Sequence, residues 1–329
     1  MTDRALIASL ACGGAGLIVL ASFLGSTTMP IDRLAAALMG RGDPADMIVV
    51  WEIRAPRAFA AYIVGATLAF CGAGLQGLLR NPLAEPGVLG VSACAALGAT
   101  LSLFYGAASV SSLLTPLAAI AGALAATVIL AITAVRLSSV VSLILVGVGL
   151  SSFAGALMAL LLNLAPTPFT LSDLISWTLG SVANKSYADL SLIAPFLIAG
   201  LALVLWKRRD LSLLTLGEET AQTAGADLRS TRLFLVAGTG LMTGAAVSIA
   251  GAIGFVGITA PHLVRPFVDH DPSRTLVPSA LLGGALLVAA DIGVRLIPTP
   301  AELRLGVVAA LIGAPIFIWI AMGQRMSHD

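Results

Sequence analysis

Charge is what this chain has least of. Seventeen acids and eighteen bases make up 11% of its 329 residues, against roughly a quarter in an ordinary soluble domain. That is too little polar surface to clothe a 33.3 kDa fold in water. Lysine occurs only at Lys185 and Lys207, and no GxxxxGK[ST] pattern surrounds either, so the chain has no phosphate loop of its own. The net charge of +1 gives no basic field for nucleic acid and no acidic tail. Cys12, Cys71 and Cys94 lie in apolar stretches without CxxC spacing and read as small packing residues. His262, His270 and His328 have no ligand-spaced partner, and there is neither an HExxH nor a GxSxG sequence, so no metal or catalytic grouping is expected.

What is present is apolar length. Hydrophobic residues are 58% of the chain and mean hydropathy is +1.00. A spanning helix needs about twenty apolar residues, and punctuation by charge, proline and glycine divides the chain into about ten candidates. They lie near 5–24, 57–79, 88–106, 114–135, 140–163, 189–206, 232–251, 253–266, 276–295 and 305–322. The expectation is a single all-α, multi-pass membrane domain over residues 1–329. Ser9-Leu10-Ala11-Cys12 is only a weak match to a lipoprotein signal, and the first segment reads as an uncleaved span. From Leu233 to Pro261 no charge occurs. That length is long for one span and short for two, so a full span followed by a shorter returning helix is expected, broken near Gly251 and Gly254.

Arginine and lysine set the orientation. With the N-terminus inside, eleven of the eighteen bases fall in inner connectors and seven in outer ones, which places both termini in the cytoplasm. Lys207-Arg208-Arg209 is the firmest inner anchor. Met29 to Arg41 and Thr170 to Val182 read as short outer interfacial helices, the second capped by Thr170 with Trp177 at headgroup level. Leu211 to Arg229 is the one sizeable inner soluble piece, a polar helix carrying Glu218, Glu219 and Asp227. Small residues recur every fourth position, as in Gly65, Ala69, Ala73 and Gly77, or Gly147, Ser151 and Gly155, a pattern that lets backbones approach closely in lipid. Asp291 is the one acid deep in a span, with Arg295 one turn on, and a local ion pair is the simpler reading than a proton relay.

Five blocks then agree with one family. Arg80-Asn81-Pro82-Leu83-Ala84-Glu85-Pro86-Gly87-Val88-Leu89-Gly90 resembles the permease subunits of the iron-siderophore, haem and cobalamin ABC importers, the type II importers. Arg54-Ala55-Pro56-Arg57, Leu216-Gly217-Glu218, Gly251 to Gly257 with Pro261-His262 and Arg265, and Ala301-Glu302 followed by Gly306, Gly313, Pro315 and Phe317 follow in family order. Departures include Cys94 for a usual glycine and Arg304 for a usual proline; they leave the substrate open.

The resemblance implies a bacterial inner-membrane subunit of ten spans, working as a homodimer with two ATPase subunits and a periplasmic substrate-binding protein. It implies no cofactor on this chain, with ATP and Mg held by the ATPase. Leu216, Gly217, Glu218 and Glu219 would dock the ATPase, the plain alternative being a solvated loop. Arg54, Arg57 and Arg295 would dock the binding protein, the alternative being contact with lipid headgroups. Gly147, Ser151 and Gly155 would line the route, and Ser138 and Ser139 would form the inner gate. A ferric siderophore is the leading substrate, with haem and cobalamin beside it. An ion-coupled secondary transporter is the reading from another class.

Overall fold

A computed structural model describes residues 3–25, 29–137, 139–297 and 302–323. Ser138, Ala301, Arg325 and His328 lie outside them. The described secondary structure is helical throughout: α1 (Asp3–Phe23), α2 (Ile31–Leu38), α3 (Pro44–Ile48), α4 (Ala55–Leu79), α5 (Val91–Phe104), α6 (Leu114–Arg136), α7 (Val140–Asn163), α8 (Pro168–Thr178), α9 (Tyr187–Trp206), α10 (Arg208–Leu214), α11 (Glu218–Thr223), α12 (Leu228–Ala250), α13 (Val256–Val264), α14 (Pro272–Leu296) and α15 (Leu305–Gly323). A π-helical stretch, Val49–Arg54, joins α3 to α4 without a break. Seven of these segments are long and apolar enough to cross a membrane, and α5 and the apolar part of α15 are shorter. The chain is therefore a multi-pass membrane protein.

Helices α4 and α12 form the centre. In each, 78% of the most apolar window is buried, against 17% in α7 and α9. Helix α14 runs antiparallel to α4, α6 and α9 flank α12, and α1 lies on α14. The small-residue stripes explain how these backbones meet. The Gly65 Cα faces the Gly283 carbonyl across the α4–α14 contact, Gly72 faces the Gly257 carbonyl, and Gly98 faces the Ala118 carbonyl. A β-carbon at any of the three collides with backbone, which cannot turn aside as a side chain can. In lipid, where apolar side chains gain little by leaving the solvent, such close packing supplies much of the association.

One break falls where the sequence placed it and another does not. The charge-free stretch ends α12 at Gly251, whose φ of 70° with ψ −167° is a backbone conformation open to glycine alone. Its Cα lies against the Trp177 carbonyl, leaving no room for a side chain. The returning helix α13 follows with nine residues, about 14 Å long and half the hydrocarbon thickness. In the soluble piece, Leu211 to Asp227 is not one helix: Gly217, at φ 98°, separates α10 from α11. Likewise the cap of α8 is Thr167, not Thr170; its hydroxyl oxygen accepts the Thr170 N–H at 3.1 Å, with Pro168 in the first turn.

Candidate functional site

The antiparallel pairing of α4 with α14 puts the start of one beside the end of the other, and four charged side chains converge there. Pro56 opens α4, and Arg57 on its first turn reaches Asp291 on α14, with Nη2 2.7 Å from Oδ1 and Nε 3.0 Å from the same oxygen. The Arg57 Nη2 also contacts the Glu302 carboxylate. Arg295 approaches Asp291 from the other side, Nη2 to Oδ2 at 3.1 Å, an ion-pair distance at an angle that makes no hydrogen bond. The Asp291 side chain is 1% exposed and that of Arg295 5%, whereas Glu302 is 43% exposed. The expected local pair is thus one edge of a four-membered cluster.

The remaining guanidinium capacity goes to α1. A helix leaves its last carbonyls without partners, and two arginines supply them. Arg295 Nη1 donates to Ala21 O and Leu24 O, both at 2.9 Å, and Arg54 Nη1 donates to Phe23 O at 2.9 Å and Ser22 O at 3.3 Å. Positive charge at a helix C-terminus is also favoured by the helix dipole. Arg54, Arg57 and Arg295 therefore share one end of the bundle, as the span assignment and the family resemblance implied, but with their charged groups turned inward. Within the cluster, Glu302 is the exposed member.

The opposite end carries the α10–α11 segment. Glu218, the first residue of α11, pairs with the buried Arg232 of α12 at 2.6 Å. Leu216 is 62% exposed and Glu219 also faces out, while Ala221 is fully buried and anchors α11 to the bundle. Behind it the Ser212 hydroxyl donates to Asp271 at 2.8 Å, and Asp271 also accepts the Ser273 N–H at 2.7 Å as the cap of α14. Partial burial pushes the Asp271 carboxyl up, yet these hydrogen bonds outweigh it and hold the group below the ordinary carboxylate range. Deeper in, Arg265 pairs with the Gln76 side-chain oxygen while the Gln76 amide donates to Gly257 O at 3.2 Å, tying α13 to α4.

Along α7 the three expected route residues do different things. Gly147 packs against Val88 and Leu89 of the 80–90 connector, Ser151 donates to Gly87 O at 3.2 Å, and Gly155 has nothing within 4 Å of a would-be β-carbon. The flanking Leu145 and Phe153 are more than 60% exposed, so α7 presents an open apolar face. Ser139 caps α7, its hydroxyl oxygen accepting the Ser142 N–H at 3.4 Å; its neighbour Ser138 lies outside the described residues.

Several groups at these sites escaped the sequence reading. Gln76 and Arg232 find partners 189 and 14 positions away, and Glu302, legible only as part of a family block, meets Arg57 across 245; no local spacing marks such pairs. Glu85 lines a cavity of about 140 Å³ with Leu68, Ser92 and Gly254; its motif was legible, but its seat against the α12–α13 break was not. No grouping of three or more His, Cys, Asp or Glu suited to a metal occurs among the described residues.

Comparison with known proteins gives the family. The chain is 40% identical over 288 residues to the vitamin B12 import system permease protein BtuC of Escherichia coli O9:H4 (strain HS), covering 86% of each. It is 38% identical over 292 residues to the uncharacterized ABC transporter permease protein YvrB of Bacillus subtilis (strain 168), covering 87% of this chain and 82% of the relative. A solved structure described as an inward-facing metal-chelate type ABC transporter superposes with a TM-score of 0.87 at 28% identity, covering 97% of this chain and 99% of that one. Residues 14–323 match the FecCD transport family, and the chain belongs to that family of ABC transporter permeases.

Proposed function

We propose that this chain is the membrane subunit of an ATP-driven importer that carries a metal chelate from periplasm to cytoplasm by alternating access. The observation that carries the reading is the full-length kinship to ABC permeases, in a chain whose sequence has no phosphate loop to bind ATP itself. ATP and Mg then belong to two partner ATPase subunits, docked on the exposed face of Leu216, Gly217, Glu218 and Glu219. In this reading the chain crosses the inner membrane ten times with both termini cytoplasmic, α13 being the shortest of the ten. Two copies pair so that Ser151 and Gly155 of α7 face the route, with Gly147 setting the wall behind it and the Ser138–Ser139 turn closing the inner end. The binding protein docks at the Arg57 end, where Arg54 and Arg295 hold the rim in shape and a carboxylate of the partner takes the place of Glu302 on Arg57.

Ferric siderophore is the substrate we favour; the kinship to a vitamin B12 permease supports cobalamin as the second reading. Ion coupling finds little support, because Asp291 is held between Arg57 and Arg295, and releasing a proton-carrying group from two cations is costly. The test is uptake into liposomes carrying the chain, its ATPase and its binding protein. Uptake should require ATP inside or outside according to orientation, and uptake by the isolated chain driven by an ion gradient would overturn the reading.

A further inference from the structure

At the end of the bundle opposite Arg57, a cleft of about 500 Å³ opens between α1, α10 and α14. It has a charged side and an apolar side. Arg208 and Arg209 line the first, both exposed, and neither guanidinium has an ion pair or hydrogen-bond partner among the described residues. The other charges there are already matched. Arg274 is paired with Asp3 and with Asp269, and Asp271 is satisfied by the Ser212 hydroxyl and by the backbone N–H groups of Ser273 and Arg274. Ile7 and Val277 form the apolar side, Val277 being 41% exposed. The cleft begins directly beyond Trp206, which ends the apolar helix α9 and is 72% exposed. Tryptophan at the end of a spanning helix marks headgroup depth.

Two free guanidiniums at headgroup depth beside an apolar wall match one chemistry: a phosphodiester anion attached to acyl chains. We propose that this cleft binds the headgroup of an anionic phospholipid, with Arg208 and Arg209 on the phosphate and an acyl chain along Ile7 and Val277. Planar guanidiniums suit phosphate oxygens in pairs, and basic clefts between membrane helices are suited to such headgroups. The site lies beside α10, so an occupied cleft braces the base of the α10–α11 segment against α1 and α14. It is separate from the transport route and does not depend on the substrate.

The test uses the full chain purified in a neutral detergent, read by native mass spectrometry and thermal melting. Phosphatidylglycerol should be retained and should raise the melting temperature, while phosphatidylcholine should do neither. Arg208→Gln with Arg209→Gln should weaken phosphatidylglycerol retention by roughly thirtyfold, from the usual worth of two basic side chains at an anionic surface. Val277→Asp, at an exposed position, should do likewise by setting a carboxylate against the acyl chain. Equal retention of the two lipids, or unchanged phosphatidylglycerol retention in both variants, would overturn the proposal. So would an equal melting shift from millimolar inorganic phosphate, which would make the cleft a site for the free anion.

Discussion

Replacing Asp291 by asparagine should cost this protein much of its stability. The carboxylate is 1% exposed and lies between two guanidiniums whose side chains are 12% and 5% exposed. Asparagine keeps the shape and removes the charge, so Arg57 and Arg295 are left facing each other with their shared counter-charge gone. Breaking a buried pair from one side costs about 3–5 kcal/mol, and here one change breaks two pairs. Glu302 stays on Arg57 and offsets part of the loss, so a value near 4 kcal/mol is expected. A domain of this size would then melt roughly 6 °C lower. Glu302→Gln is the internal control: its carboxylate is 43% exposed, and exposed pairs are worth about 1 kcal/mol or less. The assay is monodisperse yield by size-exclusion chromatography together with the melting temperature of the purified chain. A double-mutant cycle with Arg57→Gln should show the Arg57 and Asp291 costs to be strongly less than additive. If Asp291→Asn gives wild-type yield and melts within about 2 °C of wild type, the cluster carries no net stability and the reasoning is wrong.

Glu218→Arg should leave the chain inserted but abolish ATPase-coupled uptake, because it sets a cation against Arg232 and reverses the charge of the exposed α11 start; normal ATPase binding by that variant would remove the docking assignment. Gly65→Leu and Gly72→Leu should each lower folded yield sharply, since both Cα atoms face backbone carbonyls across helix contacts and overpacking costs typically 1–3 kcal/mol or more; the matching change at Gly155, which faces open space, should leave yield intact. With Cys12 first changed to serine, cysteines at the exposed positions Thr223 and Ser172 should label from opposite sides of the membrane, and labelling of both from one side would break the ten-span topology.

The apolar spans were legible because bilayer thickness converts directly into a length of uncharged sequence. Helices α1, α4, α6, α7, α9, α12 and α14 each overlap a segment visible as such a run. The break at Gly251 was legible for a related reason: a run too long for one crossing and too short for two must fold back, and glycine is where it can. Within the family blocks, Gly217 and Gly251 mark local turns at φ 98° and 70°, which a sequence shows because glycine adopts them freely. Tertiary structure alone decided which way the charged groups face. Arg54 and Arg57 were visible at a helix start, but their counterparts lie on α1 and α14, and Arg57 meets Asp291 across 234 positions of sequence. Spacing along one helix reports neighbours at three and four positions and nothing beyond them. Which arginine ends buried on a carboxylate, which caps a carbonyl and which, like Arg208 and Arg209, stays unmatched depends on where the other helices come to rest.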